Sequence, residues 1–316
     1  MMPEWMEALF NAFKDPNTQW VLLGCMLLGL SSGVLGTFTY LRKESLMGDA
    51  LAHAALPGVC IAFMLTGVKS IFLFLIGAAA AGLLATFGIG YITRNSRIKQ
   101  DTALGIILSV FFGFGIVLLT QIQHSAGGNQ SGLDKFLFGQ AASMIMDDVI
   151  VMSVISVLVM GSCALLFKEF KLLSFDPGFA RGMGFPVPFL EQLLMLLIVV
   201  IVVAGIQAVG VVLMVAMLIT PAVSARYWTE KLGVMVILSG VFGALSGLLG
   251  TLISTTANNL PTGPLSVLSA TALFIVSLLI APRRGLLAKV WVRYSVKKQV
   301  KAESAQTRLE RRLGES

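Results

Sequence analysis

One helix-length apolar stretch of the sequence, residues 46–66, carries an acid and a histidine four residues apart, Asp49 and His53. Residues at this spacing lie on the same face of an α-helix, one turn from each other. Pro57 follows His53 by four residues and has no N–H to donate, so the His53 carbonyl stays free beside the imidazole. A carboxylate, an imidazole and an unpaired carbonyl oxygen on one face can bind a divalent cation that crosses a membrane.

A structural role is the alternative for His53, because a single histidine in a membrane helix often only hydrogen-bonds a neighbouring helix. An ionised carboxylate in lipid costs several kcal/mol unless it faces water, a partner or a metal. Asp49 on the same face therefore favours a place in an ion pathway. Asp49 follows Lys43 closely in the sequence, which puts the pair toward the cytoplasmic side of its span.

The composition indicates a membrane protein. Of the 316 residues, 56% are apolar and 12% are charged, and the mean hydropathy is +0.87. A soluble domain carries about 25% charged residues. We predict an all-α polytopic membrane bundle of about nine transmembrane helices, with eight or ten as the alternatives and the least certain break near Gln207. The apolar runs lie at 20–41, 46–66, 70–92, 102–121, 143–167, 187–205, 208–227, 232–254 and 264–281.

The positions of lysine and arginine predict the orientation, since cytoplasmic loops are enriched in both. With nine spans and an outside N-terminus, only Lys14, Lys69 and Lys135 of the 23 basic residues face outward. The chain then consists of an extracellular interfacial segment at 1–19, a transmembrane domain at 20–285 and a basic cytoplasmic tail at 286–316. The tail is expected to be attracted to anionic lipid at the inner surface, with docking on a partner as the alternative.

Prolines and glycines inside the predicted transmembrane runs indicate where helices bend and where they pack closely. Pro221 interrupts the seventh run and removes the helical donor for the carbonyl of Met217. The sequence leaves open whether this kink serves gating or packing. Glycines recur along the first and eighth runs, as at Gly29, Gly33 and Gly243. Small residues at such spacings let helices approach closely, so we predict tight packing there.

A polar region at 172–186 separates the fifth and sixth runs on the predicted cytoplasmic side. Asp176 is placed to cap a short helix that starts with Pro177, and Gly184 is placed to end it. Such a helix would fit a groove on a soluble partner. An ordinary ordered loop is equally compatible with these residues.

Some motifs are absent. The sequence has no GxxxxGK[ST] phosphate-binding loop, so the chain does not hydrolyse ATP by that route, and it has no HExxH. Its three cysteines, Cys25, Cys60 and Cys163, lie in apolar runs without CxxC spacing, which favours buried thiols. We expect no enzymatic activity, no permanently bound cofactor and no nucleic-acid partner.

Several separate motifs resemble those of a known family. The segment RKESLMGDALAHAALPG resembles the signature of the membrane permease subunits of ABC importers for manganese, zinc and iron. The segments GVVLMVAMLITPAVSA and ISTTANNLPTGPLSVL match further motifs in the same order. The segment FDPGFARGMG is similar to the coupling helix of that family, which docks on the ATPase. The resemblance covers residues from about 20 to 285.

The resemblance implies a compact importer permease in a bacterial plasma membrane, N-terminus outside and C-terminus cytoplasmic. Its implied partners are cytoplasmic ABC ATPase subunits, an extracellular metal-binding lipoprotein, a second permease chain as a homodimer or paralogue pair, and membrane lipid. Asp49 and His53 match the acid and histidine of the translocation path. They would bind Mn²⁺ transiently, with Zn²⁺ or Fe²⁺ as alternatives.

The same resemblance assigns roles elsewhere. Phe175, Asp176, Ala180 and Gly184 fall in the segment that matches the ATPase-coupling helix. Pro57 and Pro221 are, from the residues alone, the predicted gating or kink positions. The alternatives from other classes are a proton-coupled secondary transporter, with Asp49 as proton carrier, and a passive channel. A secondary transporter usually contains inverted repeats, and no convincing one is found in this sequence.

Overall fold

Eleven α-helices of six residues or more form the part of the chain that the computed structural model describes. That part is residues 16–68, 70–124, 144, 146–255, 260–282 and 284–288, without the side chains at 45, 71, 207–209 and 211–213. These residues contain no β-strand. The helices are α1 (Pro16–Leu41), α2 (Ser45–Thr66), α3 (Ile71–Asn95), α4 (Gln100–His124), α5 (Met146–Leu165), α6 (Phe167–Phe175), α7 (Pro177–Gly182), α8 (Val187–Val209), α9 (Val211–Trp228), α10 (Leu232–Thr255) and α11 (Thr262–Ile280).

Eight of these helices are long and apolar enough to cross a membrane, namely α1 to α5, α8, α10 and α11. Helix α9, with 18 residues, is the ninth long helix of the described ranges. The all-α polytopic bundle expected from the sequence is thereby confirmed. Most of the predicted segments 1–19 and 286–316 lies outside the described residues.

A single glycine separates α8 from α9. Gly210 has a φ of 89°, in the left-handed region that favours glycine. The sequence placed this break near Gln207, which instead lies in the last turn of α8. The backbone conformation, rather than the polar side chain, therefore locates the break.

The long helices form two groups that meet at α8. Helices α2, α3 and α4 pack together, whereas α1 packs against α5, α9 and α10, and α11 packs against α9 and α10. Helix α8 contacts members of both groups and is apolar and buried along most of its length. A helix that is apolar all round is expected at such a central position.

The closest packing joins α1 to α10. A methyl group added at Gly29 would overlap the backbone of Gly243, and one added at Gly33 would overlap the backbone of Ser239. The hydroxyl of Ser239 donates to the carbonyl of Gly33 at 2.6 Å. The glycines therefore allow backbone contact between these helices, as their spacing predicted.

Candidate functional site

Asp49 and His53 lie next to each other on one face of α2. Nε2 of His53 is 3.5 Å from Oδ1 of Asp49, and the two side chains are 21% (His53) and 39% (Asp49) exposed. Neither is sealed in the bundle of the single chain. The pair is therefore accessible to a ligand.

Exposed apolar side chains lie on the same face of α2 as the pair, before Asp49 and again beyond the buried Pro57. Leu46, Ile61 and Met64 are exposed there, at spacings that continue the helical face of Asp49 and His53. This exposed stripe of α2, residues 46, 49, 53, 61 and 64, is apolar except for the pair. The stripe therefore carries one polar pair together with apolar side chains that favour burial away from water.

An aromatic ring from α4 orients His53. The ring of Phe112 lies 4.8 Å from the imidazole, centroid to centroid, at an interplanar angle of 76°. This edge-to-face arrangement is favourable for aromatic rings. It leaves Nε2 of the imidazole beside the Asp49 carboxylate.

Pro57 continues the same face but is buried between α2 and α4. A Cβ built on Gly115 of α4 would lie 3.0 Å from Cδ of Pro57 and 2.8 Å from Cγ of Leu56. The helix stays continuous through Pro57, which cannot donate to the carbonyl of His53. Pro57 thus both alters the hydrogen bonding beside the pair and packs closely on α4.

The site in one chain is incomplete for a metal ion. Among the described residues, no group of three or more His, Cys, Asp or Glu side chains is arranged to hold one. A carboxylate and an imidazole supply two ligands of a kind that Mn²⁺, Fe²⁺ and Zn²⁺ accept. Further ligands must come from water, backbone oxygens or another chain.

Pro221 lies within α9, and its kink has a partner in the structure. The hydroxyl of Ser32 on α1 donates to the carbonyl of Met217 at 3.4 Å. That carbonyl is the one from which Pro221 removes the helical donor. The same hydroxyl lies 3.1 Å from the carbonyl of Gly29, so Ser32 joins α1 to α9 beside Pro221 through a shared hydrogen bond.

The region 172–186 forms α6, α7 and the turn into α8. Oδ1 of Asp176 accepts from the N–H of Phe179 at 2.8 Å and so caps α7, which begins with Pro177. Ala180 is buried, whereas Phe175 and Phe179 are exposed. Gly184, at a φ of 86°, turns the chain toward α8.

This region offers apolar side chains at the end of the bundle. Phe175, Phe179 and Met183 are each more than half exposed, and Ala180 anchors α7 from the opposite side. Of the predicted coupling residues, Phe175 is therefore available to a partner, Asp176 and Gly184 shape the segment, and Ala180 faces the bundle.

The sequence-based prediction missed a charge network at the same end. The guanidinium of Arg42 donates from Nε and Nη2 to both carboxylate oxygens of Glu44, at 2.8 and 3.0 Å. Nη2 also donates to Oε1 of Glu191 at 3.2 Å. The run of Arg42, Lys43 and Glu44 signals a charged turn, but nothing in the sequence links it to Glu191.

The electrostatics of Arg42 follow from this network. Burial alone would lower the pKa of its guanidinium, but the hydrogen bonds and charges of Glu44 and Glu191 outweigh it and raise that pKa above its usual value. Arg42 therefore stays charged although its side chain is only 9% exposed.

Comparison with known proteins gives consistent matches. The family model described as "ABC 3 transport family" matches residues 14–281. The chain is 59% identical over 283 residues to the manganese transport system membrane protein MntC of Bacillus subtilis. It is 46% identical over 292 residues to the zinc transport system membrane protein TroC of Treponema pallidum.

The coverage of these matches differs. The first covers 90% of this chain and 65% of the Bacillus protein, so the chain spans about two thirds of that relative's length. The second covers 92% of this chain and 98% of the Treponema protein. The solved structure of PsaBC from Streptococcus pneumoniae in complex with Fab superposes with a TM-score of 0.78 at 37% identity, over 90% of this chain and 98% of that one.

Proposed function

This chain belongs to the ABC 3 transport family, and from that premise we propose that it is the membrane-spanning subunit of an ATP-driven importer of divalent transition-metal ions. The family resemblance drawn from the sequence motifs is confirmed by the match over residues 14–281. The observation that carries the proposal is the Asp49–His53 pair, 3.5 Å apart and partly exposed on a membrane-length helix. Such a pair is costly in lipid and is expected to serve a pathway.

The proposed metal is Mn²⁺, with Zn²⁺ and Fe²⁺ as alternatives. Relatives named for manganese transport come from Bacillus, Listeria and Streptococcus, and one relative is named for zinc transport. A site of carboxylate, imidazole and backbone oxygen without thiolate suits Mn²⁺, although such a donor set does not exclude the other two ions. Transport requires that this site be weak enough to release the ion.

A second permease chain would complete the site. The exposed stripe of α2, with Leu46, Ile61 and Met64 around the pair, suits contact with another copy. A two-fold arrangement would bring two carboxylates and two imidazoles to one axis and raise the number of protein ligands to four. The proposed assembly is therefore a homodimer or a pair with a related permease.

The other proposed partners bind the two ends of the bundle. Phe175, Phe179 and Met183 form an exposed apolar surface that would dock in a groove of a cytoplasmic ABC ATPase. The extracellular metal-binding lipoprotein would dock at the opposite end. This assignment follows the proposed orientation, with the N-terminus outside and the C-terminus in the cytoplasm of a bacterial plasma membrane.

The proposed transport cycle uses the chain's own residues in three steps. The lipoprotein releases the ion into a cleft between the two permease chains. Asp49 and His53 then replace part of its water shell, with the imidazole held against Phe112. Closure of the ATPases finally moves residues 175–184 and opens the cytoplasmic side.

Uptake in proteoliposomes tests this function. The chain reconstituted with its ATPase and loaded lipoprotein should accumulate Mn²⁺ only when ATP is supplied on the ATPase side. Omission of the ATPase is the matched control and should abolish uptake. Uptake by the chain alone that stops with an uncoupler would instead indicate a proton-coupled transporter, and ATP-independent equilibration would indicate a channel.

A further inference from the structure

A network of polar side chains ties four helices together at one end of the bundle. Arg42 follows the last residue of α1 and binds Glu44, the N-cap position of α2. Nη2 of Arg42 reaches Glu191 in the second turn of α8. Nε2 of Gln100, at the start of α4, donates to Glu44 at 3.4 Å.

The turn that carries Arg42 is tightly held. Lys43 has a φ of 59°, in the left-handed region. The N–H of Arg42 donates to the carbonyl of Phe38 at 3.1 Å, and that of Glu44 donates to Thr39 at 3.0 Å. The guanidinium is therefore fixed relative to both α1 and α2, and in the part of the chain that the structure describes it is hydrogen-bonded to α8 through Glu191.

Glu191 is joined rigidly to the segment proposed to dock on the ATPase. The N–H of Phe185 donates to the carbonyl of Ala180 at 3.1 Å, and the N–H of Leu190 donates to Pro186 at 3.1 Å. Ala180 is itself buried in the bundle. Movement of α7 would therefore be transmitted to the first turns of α8, where Glu191 lies.

Arg42 is joined just as directly to the metal-binding pair. Glu44 occupies the N-cap position of α2, and Asp49 and His53 lie further along the same continuous helix. At a rise of about 1.5 Å per residue, Asp49 is within about 8 Å of Glu44 along the axis. A displacement of the α2 start would therefore move the pair.

The present arrangement of the network is not fully satisfied. Nη1 of Arg42 and Nε2 of Gln192, the residue after Glu191, are buried without a hydrogen-bond partner in the described residues. A cavity of about 220 Å³ adjoins them, lined by Met47, Thr93 and Met195 among others. The cavity is large enough to hold water beside these two nitrogen atoms.

We propose that the Arg42–Glu191 ion pair is the link through which movement of residues 175–184 reaches the helix that carries Asp49 and His53. Both are positioning residues, because neither contacts the cation in this scheme. The inference rests on the proposed function. Without this ion pair, the coupling between residues 175–184 and α2 would depend on the packing of α8 against α2.

The test removes the charge of Glu191 and restores it after folding. Glu191→Cys keeps the Arg42–Glu44 pair, and the three native cysteines are buried, so a polar thiol reagent modifies mainly the new thiol. The permease–ATPase complex is reconstituted, and Mn²⁺ uptake and ATP hydrolysis are measured on the same vesicles. The thiol is then modified with a methanethiosulfonate that carries either a sulfonate or a trimethylammonium group.

We expect Glu191→Cys to lower the Mn²⁺ transported per ATP by about fivefold to tenfold. The Mn²⁺ concentration for half-maximal uptake should change little, because the pair at Asp49 and His53 is intact. The sulfonate reagent should restore most of the Mn²⁺ transported per ATP, because it returns a negative charge to position 191. The ammonium reagent should not restore it. A merely structural role of Glu191 would not respond to the sign of a charge added after folding.

Glu230→Cys provides the matched control, because Glu230 forms a 3.2 Å ion pair with Arg284 that is exposed rather than buried. The amount of Mn²⁺ transported per ATP by the Glu230→Cys variant should stay unchanged with either reagent. Three outcomes would each overturn the proposed Arg42–Glu191 link but not the proposed function. They are an unaltered amount of Mn²⁺ transported per ATP in Glu191→Cys, equal recovery with both reagents, and no recovery after complete sulfonate labelling. Absence of ATP-driven uptake by the wild-type complex would overturn the proposed function and the link together.

Discussion

The backbones of Gly29 on α1 and Gly243 on α10 touch, so that a methyl group on either residue would overlap the carbonyl of the other. Backbone atoms cannot rotate away as a flexible side chain does. The two helices must therefore separate to admit any larger residue. This contact therefore leaves the α1–α10 pair little room for adjustment.

Gly29→Ala should lower the melting temperature of the protein in detergent. Overpacking at a close contact costs about 1–3 kcal/mol of the free energy of unfolding. The control is Gly113→Ala on α4, where an added Cβ meets nothing within 4 Å. Alanine favours a helix over glycine, so this control should be neutral or stabilising. Equal melting temperatures for the two variants would contradict the close contact.

Asp49→Asn and His53→Ala should each abolish most Mn²⁺ uptake while the complex with the ATPase still assembles. Each removes one of the two ligands that this chain offers, and the double variant should be little worse than either single one because the pair acts as a unit. The measurement is radioactive Mn²⁺ uptake with co-purification of the ATPase. His124→Ala, at an exposed helix end, is the control and should transport normally. Normal uptake in both site variants would remove the pair from the pathway.

Phe179→Ala should weaken binding of the ATPase, since the ring is 57% exposed and its apolar area would be buried on docking. The expected loss is about 1–3 kcal/mol of binding free energy, measured by titration of the purified ATPase. Leu65→Ala removes an exposed apolar side chain at the far end of α2 and should leave the affinity unchanged. Equal affinities in both variants would place the docking surface elsewhere.

Asp176→Ala should loosen α7 without affecting the transmembrane helices. The carboxylate satisfies the N–H of Phe179, and loss of such a cap costs about 1 kcal/mol. Hydrogen exchange of the Phe179 amide should become faster. Asp176→Asn retains an acceptor oxygen and should preserve most of the protection. Unchanged exchange in Asp176→Ala would show that packing of Ala180 alone holds the segment.

Ser32→Ala and Pro221→Ala should be non-additive in their effect on stability. Ser32 donates to the carbonyl of Met217, and an alanine at 221 would supply that carbonyl with a helical N–H instead. Ser32→Ala alone should cost about 0.5–1.5 kcal/mol, and less in the Pro221→Ala background. Thermal unfolding of the four proteins of this cycle measures the coupling. Strict additivity would show that the serine and the carbonyl do not interact.

Sequence periodicity predicted the helices well because their signal is local. Each of the nine apolar runs corresponds to one long helix in the described ranges, and most ends agree within a few residues. Asp49 and His53 share a helix face because four residues separate them. The cap of Asp176 on α7 was also predictable, since the accepting carboxylate of Asp176 and the donor N–H of Phe179 are three residues apart.

Contacts between distant residues were not predictable in this way. Arg42 and Glu191 are 149 residues apart, and Ser32 and Met217 are 185 apart. Helix α6 was also unexpected, because its charged residues, such as Lys168 and Lys171, conceal an apolar face that buries Phe170 and Leu173.

The buried position of α8 has a consequence for the order of biogenesis. It is the most apolar of the eight membrane-length helices, yet most of its surface finally contacts protein. Of the helices that contact α8, α9 and α11 are synthesised after it, so during translation the part of its surface that they will cover faces lipid tails or other parts of the nascent protein. Because lipid tails are as apolar as leucine, the same side chains suit both environments. The apolar side chains of α8 therefore tolerate the bilayer until these later helices pack against them.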